Sequence, residues 1–136
     1  MSKKYKIGDY AEGGIIASVD TTGTSGLVYF EGLTSPNMST MQIAKDTIAD
    51  INDAPGYSNW TLPSMLQIIP VYNNLFKAGF TLYITDDQWN FSTTPGNAGG
   101  GSETVFQMGI FTKKELLMNM QGVPTREYNW FMVRTF

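Results

Sequence analysis

The reading of the fold starts from Asn59-Trp60-Thr61-Leu62-Pro63-Ser64-Met65-Leu66-Gln67. Ser64 followed three residues later by Gln67 fits a capping box, in which the serine oxygen and the glutamine side chain satisfy two amides that a helix start leaves without partners. Pro63 before the cap and Gly79 after Lys77-Ala78 bracket the helix. Pro70 interrupts it, because an interior proline brings no N–H and its ring presses on the preceding turn. Two outcomes are open: a kink at Pro70, or a short turn followed by a helix that starts there.

Upstream, Ser39 to Asn52 reads as an amphipathic helix capped by Ser39 or Thr40. Ile43, Ala44, Thr47, Ile48 and Ile51 recur at three- and four-residue spacing, and Lys45, Asp46 and Asp50 lie opposite. Asp53-Ala54-Pro55-Gly56 ends it. Further back, Gly13–Val19 and Leu27–Phe30 read as strands of a hairpin around the glycine-bearing turn Asp20–Gly26. Downstream of Gly79 the pattern becomes β. Thr81–Thr85 reads as a strand and Asp86–Gly101 as a long loop, of the kind that is functional or mobile in compact domains. Thr104–Phe111 alternates, with Phe106, Met108 and Ile110 on one face, and Leu116, Met118 and Met120 continue the period. Tyr128–Phe136 is apolar on both faces, which suits a central strand. No internal repeat is visible.

Composition narrows the function. The chain of 136 residues is 42% hydrophobic and 13% aromatic, enough for one packed domain, with charged residues at only 15%. Without Cys or His there is no disulfide, no thiol nucleophile, no ordinary zinc site and no His-dependent triad. Lys3, Lys4 and Lys6 make a basic start, but between Ile7 and Trp60 Lys45 stands alone against Asp9, Glu12, Asp20, Glu31, Asp46, Asp50 and Asp53. That balance gives no basic stripe for nucleic acid. No stretch is long and apolar enough to span a membrane. The start, Met-Ser-Lys-Lys-Tyr-Lys, has no apolar core and does not read as a signal peptide.

Short islands recur along the chain: Gly8-Asp9, Gly13-Gly14-Ile15-Ile16, Gly26-Leu27-Val28, Trp60-Thr61-Leu62-Pro63-Ser64, Tyr83-Ile84-Thr85 and Val133-Arg134-Thr135-Phe136. Their order and spacing resemble the C-terminal domain family of the Legionella collagen-like adhesin, found in many bacterial and phage proteins. The likeness runs from Gly8 to Phe136. Thr61 stands where the family often has Arg, Gln67 where it has Glu, and Ile84 where it has Trp. The resemblance implies an α+β fold, a compact C-type-lectin-like domain with two helices packed on a twisted antiparallel sheet, 8–136 forming the core behind a basic leader at 1–7. It also implies binding or scaffolding without catalysis, often in trimers. The expected protein is a phage fibre, tip or decoration module, in the virion or on an extracellular surface. Its partners would be other virion subunits, further copies of itself and a host-surface glycan, with no nucleic acid, no membrane insertion and no cofactor. The adhesin's sulfated polysaccharide is read by basic residues, which the acidic balance here does not supply.

Asp86-Asp87-Gln88-Trp89-Asn90 gathers two carboxylates, two amides and an indole at a strand end, where binding loops lie. Carboxylates with amide oxygens suit a hard cation such as calcium. Trp89-Asn90 is similar to the start of the Trp-Asn-Asp element of calcium-dependent lectins, but Phe91 stands in the third place. A solvated loop whose Trp covers the sheet is the preferred reading, so no metal is expected. Asp86 and Asp87, adjacent at a strand end, point to opposite faces and would not flank one substrate as acid and base. Arg126, Tyr128 and Asn129 complete the candidate ligand-binding set, although ordinary turn and strand roles explain them equally well. Trp60 and Trp130 read as core.

Overall fold

The computed structural model describes residues 4–32, 37–82, 84, 86–97 and 104–136. The elements run β1 (Tyr10–Ala11), β2 (Gly14–Val19), β3 (Gly26–Tyr29), β4 (Asn37–Ser39), α1 (Met41–Asp53), α2 (Met65–Pro70), a π-helical continuation (Val71–Phe76), β5 (Trp89–Pro95), β6 (Phe106–Phe111), β7 (Leu116–Gly122), β8 (Tyr128–Trp130) and β9 (Val133–Thr135). They form a compact α+β domain with two sheets. One is antiparallel, in the order β1-β2-β3-β9; the other runs β4-β8-β5-β6-β7 and is antiparallel except where β5 lies parallel to β8. No helix among the described residues is long and apolar enough to cross a membrane.

The first sheet is apolar on both faces, and side-chain alternation sorts its residues, together with Trp130, Phe131 and Met132 on the way into β9, into two cores. Ile15, Ala17, Leu27, Tyr29, Phe131 and Val133 pack with Ile68, Val71, Tyr72 and Leu75 of the second helix. Ile16, Val28, Trp130 and Met132 face the other way, onto Met41, Ala44 and Ile48 of α1, onto Trp60 and Leu62, and onto Phe91 and Met108 of the second sheet. Each such large side chain contributes about 1.5–3 kcal/mol by leaving water. Gly14 lets β2 and β3 approach closely, since a Cβ there would collide with the Tyr29 carbonyl.

Both helix starts behave as their sequences require. Thr40 Oγ1 accepts from the Ile43 N–H at 3.4 Å. Ser64 Oγ accepts from the Gln67 N–H at 3.3 Å, while Gln67 Oε1 accepts from the Ser64 N–H at 3.0 Å. Ile43 lies off the buried face of α1, 54% exposed. The helix starts at Met65, ahead of Pro70. Pro70 ends the α-helical part, and the following turn widens to i→i+5 bonding, with the Lys77 N–H donating to the Tyr72 carbonyl at 2.9 Å.

Several expectations change. The sheet is two sheets. Thr81, Leu82 and Ile84 lie in no strand, and Tyr83 and Thr85 fall outside the described residues. Much of the expected 86–101 loop is β5; of the remainder, 98–101 lies outside the described residues. Thr93-Thr94-Pro95 has a turn-like composition, but the Thr93 N–H donates to the Pro63 carbonyl and Thr94 Oγ1 accepts from the Met65 N–H, so these residues tie β5 to the start of α2. Pro95 sits beyond a register shift, at a strand end that tolerates its missing donor. The Phe106–Ile110 face breaks at a register shift opposite β7, which leaves Met108 through Phe111 all buried. Tyr128–Phe136 is two strands in different sheets, and it is apolar on both sides because the chain crosses between the two cores. Strands β1 and β4 had no signal of their own.

Four of the islands meet in space. Val28 pairs with Arg134 across β3 and β9, and Trp60 packs beside Gly13. Arg134 Nε donates to the Ser58 carbonyl at 3.1 Å and Nη1 to the Glu12 carbonyl at 2.8 Å, while the guanidinium lies 4.9 Å from the Tyr57 ring centre. Asn52, at the end of α1, clamps Trp60 through its backbone N–H and C=O at 2.8 and 2.9 Å.

Arg134→Lys removes the planar fork while keeping the charge, and is expected to cost about 2 kcal/mol in urea unfolding. The exposed Asp20 carboxylate holds the β2–β3 turn. Its pKa falls from 3.8 to about 2, chiefly because the Thr22 hydroxyl donates to it, with desolvation opposing and the Ser25 hydroxyl and the Thr24 and Ser25 amides assisting. A depressed pKa contributes its stability in full above 3.8 and loses it as pH falls toward 2. Amide protection of the turn should therefore decline across that window, and Asp20→Asn should abolish the dependence.

Candidate functional site

The parallel neighbours β5 and β8 bring Asn90 opposite Asn129, so Gln88 and Trp89 lie beside Tyr128 and Asn129 although the two segments are far apart in sequence. The Trp89 and Tyr128 rings stack, 5.7 Å between centres and 14° between planes. Tyr128 is held from below by buried Phe91, whose ring meets it edge-on at 5.2 Å. Both members of the stack are half-buried, so each keeps part of its surface in solvent. Such pairs are worth about 0.5–1.5 kcal/mol beyond simple burial.

Around the stack is an open depression of about 210 Å³, walled by Met38, Gln88, Trp89, Glu127, Tyr128 and Asn129. Pockets for drug-sized ligands span roughly 300–1,000 Å³, so this one suits a single ring or one projecting group. Asn129 is 7% exposed, and its side-chain amide makes no hydrogen bond among the described residues. The amide is not sealed from water, since Trp130 Nε1 is the one fully buried side-chain polar atom without a partner among the described residues, so Asn129 can bond water or a ligand at the wall.

The other candidates stand apart. Asn90 is 1% exposed, and its Nδ2 donates to the Gln88 and Gly109 carbonyls, both at 3.2 Å, so it props the turn from beneath. Asp86, Asp87 and Arg126 are exposed and off the wall. Asp87 adopts the left-handed φ of 62° and donates its N–H to the Phe111 carbonyl. Asp86 lies toward Tyr72, where burial first, then Glu115 and Asp86, push the phenol pKa up. Among the described residues no three carboxylates converge to hold a metal ion. Met38 and Glu127 joined the wall without having been singled out. Glu127 was recognisable only as the neighbour of Tyr128, and Met38 lies on β4, which carried no sequence signal.

Comparisons with known proteins add nothing to this geometry: no protein-family model matches the chain, and no curated protein is significantly similar to it.

The two asparagines should behave oppositely. Asn90→Ala strips two carbonyls of their donor and is expected to cost about 1–3 kcal/mol in urea unfolding. Asn129→Ala removes an amide with no hydrogen-bond partner among the described residues and should leave stability within about 1 kcal/mol of wild type.

Proposed function

We propose that this chain is a non-enzymatic, lectin-like attachment module of a virion or surface assembly, and that it holds a glycan in the Trp89–Tyr128 depression. One observation carries the reading: a half-exposed aromatic stack shares its depression with the Asn129 amide, which makes no hydrogen bond among the described residues and stays within reach of solvent. Sugar rings have apolar C–H faces that lie on aromatic surfaces and hydroxyls that bond amides. A ring seated on Trp89 would meet both needs at once, with Gln88 and Asn129 reaching its hydroxyls.

Support for the lectin-like part comes from the pairing of N-terminal β3 with C-terminal β9, two helices, and a second sheet that carries the depression. The convergence of the Gly13-Gly14, Val28, Trp60 and Arg134 islands fits the resemblance to the collagen-like adhesin family. The non-enzymatic part rests on the absence of Cys and His and on Asp86 and Asp87, which stand together on an exposed turn away from the wall. Assembly into homo-oligomers, as trimers, and localisation in the virion or on an extracellular surface belong to the same proposal.

A purely structural role as a decoration module draws on a different observation. Among the described residues strand β7 is an edge strand of the second sheet, with Met118 and Met120 exposed by 41% and 36%. Open apolar edges favour pairing with another chain.

A glycan array probed with the wild-type chain decides between them. Attachment predicts reproducible signal that falls at least about tenfold in Trp89→Ala and in Asn129→Ala, a loss of roughly 1.4 kcal/mol, with the oligomeric mass by light scattering unchanged. A silent array sinks the attachment reading.

A further inference from the structure

We infer that the Trp89–Tyr128 depression selects a saccharide ring bearing a protonated amine over a neutral ring, and rejects sulfated or carboxylated rings. The inference rests on the attachment reading and names its ligand class. Glu127 is the one side chain on the wall that is charged at neutral pH. It is exposed, and among the described residues it makes no ion pair. Asp86 and Asp87 add negative charge beside Gln88, and the exposed Arg126 lies outside the wall.

These groups have complementary demands. An aromatic face attracts a cation as well as a C–H face, because the ring quadrupole is negative above its plane. A carboxylate at the rim prefers an ammonium to a hydroxyl, and it repels a sulfate or uronate. The Asn129 amide is indifferent to charge and serves the ring hydroxyls in either case. The amine therefore decides affinity through Glu127, while the stack and the amide supply the binding common to all rings.

The test uses the full chain at mildly acidic pH, where the sugar amine is protonated. Its probes are a glucosamine oligomer, an N-acetylglucosamine oligomer of equal length and a heparin-derived oligomer. Calorimetry should show the glucosamine oligomer binding about two- to fivefold tighter than the acetylated one, as one exposed ion pair allows. The preference should shrink in high salt, and heparin should not bind. Glu127→Gln should erase the preference, so that the two oligomers bind with equal affinity. Equal affinity of the wild-type chain for the two oligomers, a preference that survives Glu127→Gln, or tightest binding to heparin overturns the inference and leaves attachment standing. A silent glycan array overturns attachment, and this inference falls with it.

Discussion

The domain depends on the last strand being pinned against the third. Tyr29, Val28 and Leu27 pair with Val133, Arg134 and Thr135, which closes the chain on itself, and the Thr61–Val133 bridge secures the far side of β9. Arg134 fixes that register because its guanidinium is largely buried. A buried charge must have its donors satisfied, and the Ser58 and Glu12 carbonyls that satisfy them lie on two different loops. One side chain thereby sets the relative positions of the N-terminal turn, the approach to α2 and the C-terminus. Trp60 is fixed in the same way from α1, through Asn52.

Local chemistry was legible wherever a few neighbouring residues decide the outcome. The Ser64–Gln67 cap, the Thr40 cap and the hairpin around Asp20 all follow from short-range hydrogen bonding. The presence of two sheets was not legible. The run from Tyr128 to Phe136 reads as one doubly buried strand, and nothing within it marks Phe131-Met132 as the point where the chain leaves one sheet for the other. Strand β5 was hidden for a related reason. Its Thr-Thr-Pro end is turn-like in isolation and becomes strand only because the start of α2 supplies partners for it.

The candidate site shows the same division. Gln88, Trp89, Tyr128 and Asn129 were each visible as polar or aromatic residues near an element end, but their adjacency depends on a parallel pairing between distant segments. Sequence also treated Asn90 and Asn129 alike. Their roles separate only with bonding: Asn90 spends its amide on two carbonyls, and Asn129 spends none among the described residues. Asp86, Asp87 and Arg126 were grouped with them by proximity in the chain, which the turn at Asp87 breaks on one side and the turn closed by the Arg126 N–H to the Val123 carbonyl on the other.

The crossing at Phe131-Met132 bears on how the molecule comes apart. Tyr128 and Trp130 belong to the second sheet, Val133 to Thr135 to the first, and the residues between them are buried in both cores. Neither sheet can open at its C-terminal strand without pulling on the other. Partial opening confined to one sheet is therefore disfavoured, and the two cores behave as a single cooperative unit rather than as separable foldons. The depression, built on the strand that enters this crossing, takes its rigidity from global stability rather than from local bonding.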